Sequence, residues 1–164
     1  MIWFAAYVAS IVLANLTLAY IGMVMVWPGV IAPAGVLWAG VALTLRDLVQ
    51  DSLGRRWTVA AILIGAAVSW LVSPAFAVAS GLAFLVSEAV DFAVYTPLRE
   101  RYWLTAVALS NTVGLVVDSA LFLSLAFGSL EFMAGQIVGK LEITVLTVAV
   151  LWIWRFQRSV GVAR

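Results

Sequence analysis

The chain of 164 residues contains no cysteine and no histidine. The first absence excludes disulfides and thiolate metal sites. The second removes the commonest metal ligand, the commonest general base and any serine–histidine triad. Charge is scarce as well: 10% of residues are charged, where a soluble domain carries about 25%. Loops are short, which leaves no room for a soluble catalytic domain or a nucleic-acid-binding module. What the sequence does contain is apolar, 65% of its residues with a mean hydropathy of +1.14. A small soluble domain keeps much of its surface in water and could not bury so much apolar side chain. The bilayer is the natural solvent. The N-terminus lacks a basic region and opens directly on a run long enough to span, so a retained helix is expected there rather than a cleaved leader.

A spanning helix needs roughly 20 mostly apolar residues. Runs near that length predict about six helices in one all-α, polytopic membrane domain over 1–164, at about 2–27, 30–54, 57–72, 75–96, 103–127 and 132–156. The breaks carry turn chemistry: Pro28-Gly29, Ser73-Pro74, Pro97 and Gly128-Ser129. Arginines set the orientation. Arg46, Arg55 and Arg56 follow the second run, Arg99 and Arg101 the fourth, and Arg155, Arg158 and Arg164 the sixth. With six spans these share one side, and the positive-inside rule places both termini in the cytoplasm. Trp27, Trp57, Trp103, Trp152 and Trp154 near helix ends fit an interfacial aromatic belt. A short repeat, VDFAVY at 90–95 and VDSALF at 117–122, falls on consecutive and therefore opposed helices, the arrangement of inverted-repeat transporters.

Against this background the polar residues stand out. Glu88, Asp91, Asn111, Asp118, Gln136, Lys140 and Glu142 lie within predicted spans, and Asn15 near the middle of the first. A charge at the bilayer centre costs about 2.5–3.5 kcal/mol on insertion scales, so such residues face a bundle interior or wet cavity and mark a substrate or ion path. Spacing points to one shared cavity. Glu88 and Asp91 are three apart, Gln136 and Lys140 four apart, and Asn111 and Asp118 two turns apart on one face. At about 1.5 Å per residue, Asp118 and Lys140 both sit roughly 14 Å from the outer surface and can form an ion pair. Lys140 is then one cation against Glu88, Asp91, Asp118 and Glu142. Unless the arginines reach up, the surplus acids must take up protons, as hydrogen-bond donors or as carriers for coupling. The plainer alternative is that polar side chains simply hold helices together, at about 0.6 kcal/mol each. Ser10, Thr17, Ser69 and Ser80 are expected to bond back to their own helices. Gly22, Gly40, Gly65, Gly81 and Gly139 read as close-packing positions. At the edge of the membrane, Asp47 and Asp51 lie four apart at a helix C-terminus, where acids oppose the dipole. Salt bridges to Arg55, Arg99 or Arg101, or a gate, would account for them.

RDLVQDSLGRRWT, at 46–58, resembles the D-x-x-x-E-x-x-G signature of the VUT family of bacterial queuosine precursor transporters, with Asp47, Asp51 and Gly54 on the pattern and Asp51 in place of Glu. The segment FLVSEAVDFAVYTPLRER is similar to that family's S-Q-x-x-D signature at Ser87, Asp91 and Arg99, with Glu88 in place of Gln. SNTVGLVVDSALFLSLAFG resembles a third signature at Asp118, Ser119, Phe122, Ala126 and Phe127. Lys140 and Asn15 fall where the family has a lysine in its last helix and an asparagine in its first. The resemblance implies a multi-pass protein of the bacterial inner membrane that imports a 7-deazapurine such as 7-cyano-7-deazaguanine. No cofactor and no metal are expected.

Such a ligand presents a ring N–H beside an amino group, which a carboxylate accepts as a pair, while an amide satisfies the neighbouring carbonyl. Glu88 or Asp91 with Asn111 or Gln136 would supply these groups, and Phe84, Phe92, Tyr95 or Phe122 the walls around a flat ring. Asp91 and Asp118 are expected as the central pair, with Glu88 reading the purine edge or carrying a proton. The expected partners are a small purine-like molecule and the lipid bilayer, with no nucleic acid; a homo-oligomer stays open. Two other readings remain. One is a substrate-binding subunit that docks on a separate energising complex, for which Ala5 and Ala9 offer a small-residue face. The other is a structural membrane protein. An enzyme ranks last, since only a carboxyl pair such as Asp47 and Asp51 could do chemistry.

Overall fold

The structure is a computed structural model that describes residues 1–98, 101 and 103–161, with side chains at all of these except 103–104, 106–108, 148 and 151–161. It holds six helices and one hairpin: α1 (Ile2–Ile21), β1 (Met23–Trp27), β2 (Val30–Pro33), α2 (Val36–Leu53), α3 (Arg55–Trp70), α4 (Pro74–Leu98), α5 (Trp103–Phe127) and α6 (Met133–Gly161).

The hairpin corrects the expected helices over 2–27 and 30–54. The first ends at Ile21, because Gly22 adopts φ 77 and turns the chain out of the helix while its N–H donates to the Leu18 carbonyl. Gly22 is therefore a helix stop, with open space beyond it, and not a packing position. Val24 and Val26 favour extended backbone, and Pro28-Gly29 reverses it, with Gly29 at φ 77 as a type II turn requires. The strands pair antiparallel, Met23 with Pro33, Val24 with Ala32 and Met25 with Ile31. The Ala34 N–H donates to the Gly22 carbonyl at 2.8 Å and closes the base. An apolar run alone does not distinguish a short buried strand from a helix end. The other bounds differ less: α3 starts at Arg55 and stops at Trp70, and α6 runs to Gly161. Of the positions the sequence reading used, Arg99 and Arg164 lie outside the described residues. So do the side chains of Trp103, Trp152, Trp154, Arg155 and Arg158.

Helix contacts run in a ring, α5–α4–α3–α1–α2–α6, which a slighter α5–α6 contact closes. α4 and α5 share the most extensive interface, and the hairpin lies on the start of α6. Between membrane helices the attraction comes from close packing, so small residues mark the crossings. A Cβ at Gly40 would meet the Ile143 side chain, one at Gly65 the Ile11 side chain, one at Gly81 the Ala66 methyl, and one at Gly139 Val36 and Val26. Tyr7, Ile11, Ala42, Leu45, Val49, Ala61, Ile62 and Phe84 form the innermost apolar cluster. Outside it, Leu63, Ile64, Val68, Val78, Leu82, Val86, Val145 and Val150 are exposed. In water so broad an apolar surface would be a liability; around a helix bundle it is a lipid face. Among the described residues, three helices are long and apolar enough to cross a bilayer: Ile2–Ile21, Pro74–Leu98 and, within α5, Leu109–Phe127.

Candidate functional site

Two polar clusters lie along the bundle, one at mid-depth and one nearer the end that carries Arg55 and Arg56. At mid-depth, α5 supplies Asp118 and α6 supplies Lys140, the chain's single lysine. Lys140 Nζ lies 2.5 Å from Asp118 Oδ2 and 2.9 Å from Ser119 Oγ. Lys140 is 2% exposed and Asp118 4%. A cation this deep is tolerable only with such partners. The pairing expected from helix depth is present.

The same level holds a cavity of about 30 Å³, lined by Asn15, Ser80, Phe84, Asp118, Phe122, Gln136 and Lys140 among others. It has room for about two waters and none for a ring. Asn15 Nδ2 reaches Ser69 Oγ at 3.3 Å and Ser80 Oγ at 3.1 Å, tying α1 to α3 and α4. Ser80 also bonds back to the Ala77 carbonyl as expected, and both Ser69 and Ser80 serve a neighbouring helix through Asn15. Ser10 and Thr17 do bond back, to the carbonyls of Tyr7 and Leu13. Gln136 Oε1 is buried beside the ion pair and meets no donor among the described residues.

The second cluster is organised by Arg46 of α2. Its Nη1 lies 3.1 Å from Glu88 Oε2, while its Nε and Nη2 donate to Asp47 Oδ1 at 3.1 and 2.9 Å. Beside it is a cavity of about 340 Å³ whose polar lining is Thr44, Arg46, Asp47, Ser87, Asp91, Asn111, Thr112 and Thr144. Asp91 Oδ1 and Thr44 Oγ1 are shielded from solvent and meet no hydrogen-bond partner among the described residues. Small-molecule pockets begin near this size, about 300 Å³.

The structure therefore divides between two cavities the residues that helical spacing assigned to one. Asn15, Asp118, Gln136, Lys140, Phe84 and Phe122 line the mid-depth cavity; Asp47, Asp91 and Asn111 line the larger one. Asp91 and Asp118, expected as a central pair, are separated accordingly. Glu88 lines neither cavity and is held by Arg46. Phe92 is exposed with the Arg55 guanidinium 3.8 Å over its ring, so it is engaged outside both cavities. Tyr95 and Glu142 are half-buried and line neither cavity, and Asp51 is exposed at the end of α2. Asp47 takes Arg46 as its partner in place of the arginines expected.

Three residues escaped the sequence reading. Arg46 was grouped with the cytoplasmic arginines, although its side chain is only 11% exposed. The unbalanced acids were the signal that an arginine must turn inward. Ser119 holds Lys140 and was noted only as part of a signature. Tyr7 is fully buried, with a hydroxyl that meets no partner among the described residues; its flanking apolar residues gave no hint of this.

An apolar helix bundle with buried ion pairs and polar cavities at depth has the build of a membrane transport protein, because intramembrane charge is kept where a solute or ion passes. Comparison with protein families agrees. Residues 70–154, just over half the chain and spanning α4, α5 and most of α6, match the family described as "Putative vitamin uptake transporter". The chain belongs to this family of membrane uptake transporters. No curated protein and no solved structure matches it.

Proposed function

We propose that the chain imports a queuosine precursor, 7-cyano-7-deazaguanine or a closely related 7-deazapurine, across a bacterial inner membrane through six spans with both termini cytoplasmic. The observation that carries this reading is the cavity of about 340 Å³ lined by Asp91, one of whose carboxylate oxygens meets no hydrogen-bond partner among the described residues. An aminopyrimidinone edge offers that oxygen an N–H and an amino group, Asn111 offers a donor to the ring carbonyl, and Leu115 and Val116 give the ring an apolar wall. The collapsed mid-depth cavity next to the open one on the arginine-rich side corresponds to one end state of alternating access. The Asp118–Lys140 pair supplies a buried charge that a coupling proton could discharge.

The test is rescue of a bacterium that neither makes deazaguanines nor imports them. With nanomolar 7-cyano-7-deazaguanine, cells expressing the wild type recover queuosine in tRNA, and cells expressing a folded Asp91→Asn variant do not. Absence of rescue by wild type at verified membrane levels would end the substrate assignment.

A further inference from the structure

Glu88 is the residue best suited to read a purine edge, yet it faces neither cavity. On α4 it lies between Phe84, which lines the mid-depth cavity, and Asp91, which lines the larger one together with the adjacent Ser87. What occupies it is Arg46. The contact is informative in its geometry. A guanidinium and an aminopyrimidinone present the same pattern, parallel N–H donors on adjacent nitrogens of a planar N–C–N unit. Arg46 also divides its donors. Nη1 alone faces Glu88, in a charge contact that leaves Glu88 Oε2 without a hydrogen bond among the described residues, while Nε and Nη2 are already on Asp47. The Glu88 side chain is 9% exposed and that of Asp47 57%, so the arginine bridges an enclosed acid and one open to the cavity. The Tyr7 hydroxyl is fully buried and meets no partner among the described residues, an unmet donor that calls for a group arriving in another state.

We propose that Arg46 is a built-in plug at the ligand's place: its guanidinium holds Glu88 by charge and closes the passage between the two cavities until the N–H and amino edge of an aminopyrimidinone ring, passed on from Asp91, gives Glu88 the paired hydrogen bonds that Arg46 does not make and the arginine withdraws onto Asp47 alone. This rests on the purine-precursor reading above and adds the residue that regulates entry and rejects solutes lacking the paired donors. A solute that cannot replace both the charge-assisted contact and the donor pattern leaves Glu88 buried without a partner, which disfavours its passage.

Arg46→Lys tests this. Lysine keeps the positive charge near Glu88 but is a single-point donor that cannot bridge both acids as the fork does. Apparent affinity scales inversely with the fraction of competent molecules, so if Arg46 holds Glu88 in about nine molecules of ten, release tightens binding up to about tenfold. The purified full chain in detergent, titrated with 7-cyano-7-deazaguanine, should bind more tightly as Arg46→Lys. It should bind more weakly as Asp47→Asn, which removes the acid that receives the arginine. Thermal unfolding verifies that each variant is folded. A second arm uses no ligand. The chain has no native cysteine, so Ala39→Cys places one reporter in the mid-depth cavity. In membrane vesicles that expose the arginine-rich side, the charged, impermeant reagent 2-sulfonatoethyl methanethiosulfonate should label it several-fold faster when Arg46→Lys is present. Binding no tighter in Arg46→Lys overturns the proposal, and so does labelling indifferent to residue 46. If the wild type does not bind 7-cyano-7-deazaguanine at all, the substrate reading fails by that result, and the labelling arm decides for or against Arg46 as the closure.

Discussion

Replacing Lys140 by methionine keeps the length of the side chain and removes its charge. In the structure Lys140 is 2% exposed and gives Asp118 its charge partner. The variant leaves the Asp118 carboxylate enclosed at 4% exposure, with no ion pair to another cation among the described residues. Breaking a buried pair by removing one member costs about 3–5 kcal/mol, since the remaining charge is neither solvated nor compensated. Asp118→Asn strands the lysine in the same way and should cost a similar amount, eased by the Ser119 hydroxyl that Lys140 keeps. The double variant removes both charges. Exchange of a whole buried pair for uncharged side chains is often neutral, so its cost should be within about 1 kcal/mol of wild type. The coupling energy would then be about 5 kcal/mol or more, above the roughly 0.5–3 kcal/mol usual for residues in contact because both members are buried charges. The assay is reversible unfolding of the purified chain in mixed micelles, titrated with a denaturing detergent and followed by tryptophan fluorescence, for all four members of the cycle. Additive losses would refute the reasoning, because they would mean that the two side chains do not stabilise each other. A loss below about 1 kcal/mol for Lys140→Met would refute it too, by showing that Asp118 does not depend on this cation.

Asn15→Ala removes the side-chain links from α1 to Ser69 and Ser80; at about 0.6 kcal/mol per interhelical contact the expected loss is roughly 1 kcal/mol. Equal stability in the same unfolding assay would show that these contacts are replaced as soon as they are lost. Gly65→Leu forces a side chain against Ile11, whose Cβ and Cγ2 lie 2.9 Å from where a Cβ would sit. Overpacking typically costs about 1–3 kcal/mol, and the pairing of α1 with α3 should suffer first, visible as lower folded yield and an earlier unfolding midpoint. A normal yield would place that crossing elsewhere.

Composition settled the solvent. So many apolar residues cannot be buried in a chain this short, and a bundle of apolar helices in lipid follows from that alone. Helical periodicity also located Asp118 and Lys140 at matching depth, because rise per residue is constant and both can be counted from a helix end. The resemblance of short signatures to one transporter family was legible in the chain itself, and the family comparison shows that membership.

Other features depended on which faces meet. The residues 23–33 are as apolar as a helix end, and only the pairing of Met23–Met25 with Ile31–Pro33 makes them a hairpin. Periodicity shows that Glu88 and Asp91 share a face, yet it says nothing of what that face meets. Packing α2 against α1 and α6 brings Arg46 inward to Glu88 and leaves Asp91 on a cavity wall. Asn111 and Asp118 likewise share a helical face, but a cavity is bounded by several helices at one depth, and two turns along α5 is enough to pass from one cavity to the next. Depth along a helix is a property of one segment and is written in its sequence. Partnership across helices belongs to all of them together, and only the tertiary structure decides it.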